Sequence, residues 1–208
     1  TECAMDDVII YAKTVDELRN VTEIVKKRFS EAGLKLNDKK CEYEMTKIKF
    51  LGHIISGNGI QIDEEKIQAI EQLQAPTNLK ELRRLMGMLN YLSRFIPNYS
   101  DLVLPLRSLL KKDHYFSWTV DQEKTFENVK KAITTAPTLG FYDVKKPVRL
   151  SVDSSQHSIG AVLLQDRPIA YATRALSPTE QVMPQIVKEA LRYNLVAQNF
   201  TVLFMVDH

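Results

Sequence analysis

Two adjacent carboxylates, Asp6 and Asp7, sit between short apolar runs, Ala4-Met5 before them and Val8-Ile9-Ile10 after. Left unpaired, neighbouring carboxylates repel, and one tends to take up a proton. A divalent cation removes the conflict. Hard oxygen donors suit Mg²⁺, which takes one or two protein carboxylates plus substrate phosphates. Such a pair is the hardware of two-metal phosphoryl transfer, with ions about 3.5–4 Å apart. The plain alternative is a solvated acidic turn, because a bare Asp-Asp pair is a weak motif.

The elements around the pair follow from residue type. Val8 to Ile10 is β-branched and predicts a buried strand. Asp is a poor strand residue and a good turn residue, so the pair belongs at a hairpin tip. Thr14 and Glu17 have the spacing of a capping box. The helix they start carries Leu18, Val21, Ile24, Val25 and Phe29 on one stripe and stops at Gly33. It is expected to cover one face of the hairpin sheet. Leu34 to Phe50 predicts short strands joined by polar turns. Phe50 to Ile62 predicts a β-hairpin around Gly57-Asn58-Gly59.

The middle of the chain predicts helices. One runs from Asp63 to Gln74, and another from Asn78 to Pro97 with Leu82, Leu85, Met86, Leu89, Leu92 and Phe95 on its apolar side. A third runs from Tyr99 to Lys112, interrupted at Pro105, and a fourth from about Asp121 to Thr135. Trp118, the single Trp, is expected to anchor the core. The polar stretch at Asp143 to Pro147 marks a domain boundary near residue 146. Beyond it come strands at Arg149–Asp153, Ile159–Gln165 and Pro168–Arg174, forming an antiparallel meander. A helix from Glu180 to Phe200 and a strand from Thr201 to Val206 follow.

Bulk properties bound the function classes. The chain has 208 residues, 44% hydrophobic and 26% charged, as in ordinary globular proteins. The net charge of +2 is weak support for nucleic-acid binding. Lys and Arg do cluster, at Lys26-Lys27-Arg28, Arg83-Arg84 and Lys111-Lys112 among others, where a solvated helix face is the plain alternative. Cys3 and Cys41 lack metal-ligand spacing, which favours a reducing compartment. No apolar run approaches the ~20 residues that span a bilayer. The chain opens inside one motif and stops at Asp207-His208 inside another, so a piece of a longer polypeptide is expected.

The motifs, taken in order, resemble one family. AMDDVIIY is similar to the polymerase signature of reverse transcriptases. KIKFLGHIISGNGIQID, LRRLMGMLNYLSRFIPNYS and VDSSQHSIGAVLLQDRPIAYATRALSPTE then resemble the palm, the thumb and the ribonuclease H domain of gypsy-type LTR retrotransposon Pol polyproteins. The resemblance implies an α/β (α+β) chain: the end of a palm with a primer-grip hairpin over 1–75, a helical thumb and connection over 76–146, and the start of a ribonuclease H-like domain over 147–208. It implies RNA-directed DNA synthesis at Asp6 and Asp7, and cleavage of RNA in RNA/DNA hybrids at Asp153, Glu189 and Asp207, with Mg²⁺ or Mn²⁺ at both sites. Leu51, Gly52 and His53 correspond to the primer grip, and Arg83, Arg84 and Arg94 to thumb contacts with phosphates. The implied partners are primer-template or hybrid nucleic acid and the rest of a Pol polyprotein (protease, fingers and palm, integrase). No membrane is implied, and the location would be a cytoplasmic particle or the nucleus.

Three positions depart from the family pattern. Ala4 stands where the family has Tyr. Met183 and Val187-Lys188-Glu189 stand where it has an aromatic and then Glu-Lys-Glu. Phe200 runs directly into Thr201, where the family has several loop residues. The last departure predicts either a helix that unwinds near Val196 or a final strand that cannot reach its place. The alternative function is a catalytically inactive or co-opted nucleic-acid-binding remnant.

Overall fold

The computed structural model describes residues 1–4, 6–111 and 115–204. They divide at Gly57 into two compact units. The first holds strands β1 (Glu2–Ala4) and β2 (Asp7–Ile9), helix α1 (Val15–Glu31), and strands β3 (Lys47–Phe50) and β4 (His53–Ser56). β1 and β2 pair antiparallel, with Ala4 opposite Asp7, which is the hairpin expected. Thr14 caps α1 by accepting the Glu17 N–H at 3.2 Å. The Glu17 carboxylate reaches back to the Lys13 N–H at 3.2 Å.

Two expectations fail in this unit. α1 buries none of its residues, and Ile24 of its apolar stripe is exposed. Strands of three residues are too short to cover a helix of 17. Residues 34–46 carry no strand, only a 3₁₀ turn at Asp38–Lys40. Asn37 accepts the Lys39 N–H there, and a side chain that satisfies its own backbone in this way competes with a sheet ladder.

The second unit starts with β5 (Gly59–Ile62) and continues through α2 (Glu64–Glu71), α3 (Leu79–Leu92), α4 (Tyr99–Leu102), α5 (Leu104–Ser108) and α6 (Val120–Thr134). Asn78 caps α3 through the Glu81 N–H at 3.0 Å. Every residue of the predicted α3 stripe, with Phe95 just beyond it, is buried. These side chains form one core with α6, whose Phe126 and Ile133 lie beneath them. Trp118 packs edge-on to Phe126 at 6.0 Å between ring centroids, so it anchors this core. The break in the third predicted helix comes at Val103, two residues before Pro105. Pro105 then sits in the first turn of α5, where its missing N–H costs nothing.

A second core lies under strands β6 (Arg149–Ser154), β7 (Ser158–Leu164) and β8 (Pro168–Ala175), which form an antiparallel meander. Short helix α7 (Pro178–Gln181) and long helix α8 (Gln185–Phe204) follow. Pro184 separates them, so the single helix predicted from Glu180 is two. The two cores are joined. Leu139 pairs with Ile60 of β5 through reciprocal backbone bonds of 2.8 and 2.9 Å, Gly140 donates to the Pro168 carbonyl at 2.8 Å, and Tyr171 of β8 packs on the helical core.

The C-terminal expectation is also corrected. Residues 201–204, predicted as strand, continue α8. No Gly, Pro or loop residue follows Phe200, and extending a formed helix is easier than starting a new element. The helix therefore does not unwind near Val196. The rest of the predicted strand, Asp207 included, lies outside the described residues, as does Lys112.

The turn after α7's cap carries a pH-dependent contact. Glu180 bonds Arg174 at 3.1 and 3.0 Å and accepts the Ser177 N–H at 2.8 Å. The Arg174 guanidinium, with help from the Ser177 N–H, pulls the Glu180 carboxyl down to about 2. A depressed carboxylate stabilises the fold above its unfolded value of about 4.3 and stops doing so as the pH falls through its folded value. The pair is partly solvated, so its contribution is at most about 1 kcal/mol. Urea unfolding of the protein and of Glu180→Gln is expected to show this gap at pH 7 and about half of it at pH 3. An unchanged gap at pH 3 would refute the assignment.

Candidate active sites

The first candidate site is the β1–β2 hairpin. Asp6 lies in the turn and Asp7 opens β2, and both carboxylates are exposed. Behind them Ile9 is buried, which fixes which side of the strand faces inward. Exposed hard oxygens on a tight turn have the right chemistry for a divalent cation and phosphate oxygens.

The predicted primer-grip residues form the turn between β3 and β4. Phe50 pairs with His53, leaving Leu51 and Gly52 as a two-residue loop. Their φ angles are +47° and +67°, the signs that a type I′ hairpin turn requires. Gly takes this conformation freely, whereas Leu is strained in it. The Leu51 side chain is 48% exposed, so burial does not explain the strain. A strained apolar residue projecting from a hairpin tip is a reason to look for a ligand there. His53 points inward and is buried.

Arg83 and Arg84 are exposed on the face of α3 opposite its buried leucines. Arg94 is also exposed, its guanidinium 5.8 Å from the centre of the Phe95 ring. All three can reach phosphates without disturbing the core.

The second candidate site lies at the end of β6. Asp153 pairs with Gly160 of β7, which pairs with Thr173 of β8, so the three share one row across the sheet. Alternation puts them on one face, opposite to Val152 and its neighbours. That other face packs against Leu191, Leu195 and Phe200 of α8. Asn98 fills the Asp153 face: its Oδ1 lies 2.8 Å from where a Cβ on Gly160 would be. The Ser100 N–H donates to Thr173 Oγ1 at 3.2 Å, and Ser155 Oγ donates to Asp101 at 2.9 Å. Gly160 therefore serves a close approach by a side chain from the helical core.

Asp153 and Glu189 are both exposed. Ser154, next to Asp153, accepts hydrogen bonds from Gln185 at 3.3 Å and Arg192 at 2.7 Å. Glu189 lies between these two on the same side of α8. The structure thus brings the half of α8 that carries Glu189 to the end of β6, on the face of the sheet opposite to Asp153. Among the described residues no three His, Cys, Asp or Glu side chains gather to hold an ion. Sequence reasoning missed Ser154 and Arg192. The signal available was the i, i+4, i+7 spacing of Gln185, Glu189 and Arg192.

The comparisons with known proteins follow the same division. Residues 3–55 match the reverse transcriptase (RNA-dependent DNA polymerase) family, and residues 118–208 match the RNase H-like domain found in reverse transcriptase. The Tf2-3 and Tf2-7 transposon polyproteins of Schizosaccharomyces pombe are each 36% identical over 185 residues, 86% of this chain. The chain spans only 14% of their length. The foamy viral protease-reverse transcriptase solved with an RNA/DNA hybrid superposes with a TM-score of 0.83 at 26% identity, covering 92% of this chain and 27% of that one. The same viral protein solved with double-stranded DNA gives 0.78 at 26% identity, covering 90% and 41%. The chain therefore carries, in order, a reverse transcriptase segment and an RNase H-like segment of the kind found in reverse transcriptases, and it is related to retrotransposon polyproteins.

Proposed function

We propose that this chain is the palm end, thumb and ribonuclease H start of a gypsy-type retrotransposon Pol polyprotein, and that it binds RNA/DNA hybrids. The divisions proposed are 1–75, 76–146 and 147–208. One observation carries the reading: the Asp6-Asp7 hairpin lies in the reverse transcriptase match, and the Asp153 meander lies in the RNase H-like match. The proposed polymerase carboxylates are Asp6 and Asp7, and the proposed RNA-cleaving carboxylates are Asp153, Glu189 and Asp207. Mg²⁺, or Mn²⁺ in its place, would be held by these two sets and would supply Lewis-acid polarisation of phosphate and an activated water. Leu51 and Gly52 would carry the primer backbone at the strained turn. Arg83, Arg84 and Arg94 would neutralise phosphates in a sequence-independent way. Selection of RNA over DNA would rest on minor-groove shape and 2′-hydroxyl contacts. The remaining partners would be the other parts of the polyprotein.

A second reading, a binding remnant without catalysis, is favoured by one observation. α8 continues through residue 204, where the resemblance implies a strand leading to Asp207.

Hybrid binding tests what both readings share. A fluorescently labelled RNA/DNA hybrid is titrated at several salt concentrations. We expect affinity to fall steeply with salt, and replacing Arg83, Arg84 and Arg94 together by Ala to reduce the log–log slope by about two to three. Absence of binding at low salt would leave a structural or protein-interaction domain as the surviving interpretation.

A further inference from the structure

We infer that Ser154 is a positioning residue whose hydroxyl clamps the first half of α8 to the end of β6 and so sets Glu189 beside the strand that carries Asp153. This rests on the proposed RNA-cleaving site. Ser154 Oγ accepts from Arg192 Nη2 at 2.7 Å and from Gln185 Nε2 at 3.3 Å. Positions 185, 189 and 192 follow i, i+4, i+7 spacing, which places all three on one side of the helix. The two donors bracket Glu189, one turn before it and one turn after.

Apolar packing of α8 into the sheet core starts at Leu191 and continues through Leu195 and Phe200, whereas Ile186 in the first turn is 75% exposed. Apolar packing has no direction and fixes chiefly how close the helix lies to the sheet. Hydrogen bonds are directional and fix its roll and its slide along β6. Lys188, buried one residue before Glu189, donates to the Gln181 carbonyl at 2.8 Å, which ties α8 back to α7 rather than to the strand. The Ser154 pair is therefore the link that orients this end of the helix on β6. Arg192 is held there at a cost, because its Nε is enclosed without a hydrogen-bond partner.

Mn²⁺ binding, followed by the electron paramagnetic resonance of the free ion, reads the clamp without requiring turnover. Asp6 and Asp7 are first changed to Asn, so that the signal reports only the second carboxylate set. In that parent we expect Ser154→Ala to weaken Mn²⁺ binding about three- to tenfold, and Ser154→Thr, which keeps the hydroxyl, to restore most of it. In a Glu189→Gln background, Ser154→Ala should have no further effect, because the clamp acts through Glu189. Unaltered Mn²⁺ binding in Ser154→Ala, with Glu189→Gln weakened, would overturn the inference. So would an equal loss in the presence and absence of Glu189. If Asp153→Asn and Glu189→Gln both bind Mn²⁺ as the parent does, the metal reading of this site fails and the clamp falls with it. A hybrid-binding titration on the same variants separates that result from a chain that does not recognise nucleic acid at all.

Discussion

Asp153→Asn is expected to reduce cleavage of the RNA strand of a labelled hybrid by at least about 100-fold in Mg²⁺ or Mn²⁺, a loss typical of removing one charge-stabilising group from a reacting centre. The substitution suits the local structure. Asp153 is exposed, and its Oδ1 accepts the Ser154 N–H at 2.8 Å, a bond that an Asn oxygen can also make. Asn keeps the size and the backbone bond and removes only the negative charge. The row partners Gly160 and Thr173 are undisturbed, so the meander should fold as before. Hybrid affinity should hold within about twofold, because the proposed phosphate contacts at Arg83, Arg84 and Arg94 are on other elements. A variant that cleaves like the parent would remove Asp153 from the chemistry. A parent that binds the hybrid and cleaves it in neither metal would establish the remnant reading.

The largest stability effect is expected at Phe126→Ala. Phe126 is 2% exposed at the centre of the helical core, edge-on to Trp118, with the Lys130 ammonium 4.5 Å from its ring centre. Truncating a fully buried Phe typically costs about 3–5 kcal/mol, from lost transfer energy and the cavity left behind. Whole domains are stable by only about 5–15 kcal/mol, so this is a large share. The single Trp reports directly, because it touches the ring removed. In urea, the Trp118 fluorescence transition should move down by at least about 1 M. Val120→Ala, at a side chain 68% exposed on the same helix, should move it little. A shift at Phe126 as small as that of Val120→Ala would mean that this core does not limit the stability of the unit.

The clearest readings from sequence were local. Asp6-Asp7 before a β-branched run marked a hairpin, with Asp6 in the turn and Asp7 opening β2, because Asp disfavours a strand interior and the residues that follow favour one. Thr14 and Asn78 cap the helices they were expected to start, since a side-chain oxygen three residues before a free N–H needs no distant partner. The α3 stripe faces the core because its spacing allows one buried side. The three-strand meander follows from short runs separated by turn residues.

What the tertiary structure decided was every question of which surface meets which. Sequence could order Asp153 and Glu189 along the chain. It could not say that the half of α8 carrying Glu189 meets the end of β6 on the face opposite to Asp153, or that Ser154 and Arg192 stand between these elements. It could not place Asn98 against Gly160 and thereby join the helical core to the Asp153 side of the sheet. Nor could residue type decide that 201–204 extend a helix, because β-branched and aromatic preferences are weak beside the advantage of propagating a turn already formed. Local preferences are set by neighbours in the chain and are written in it. Packing faces are set by residues far apart in sequence, so they exist only once the chain has folded.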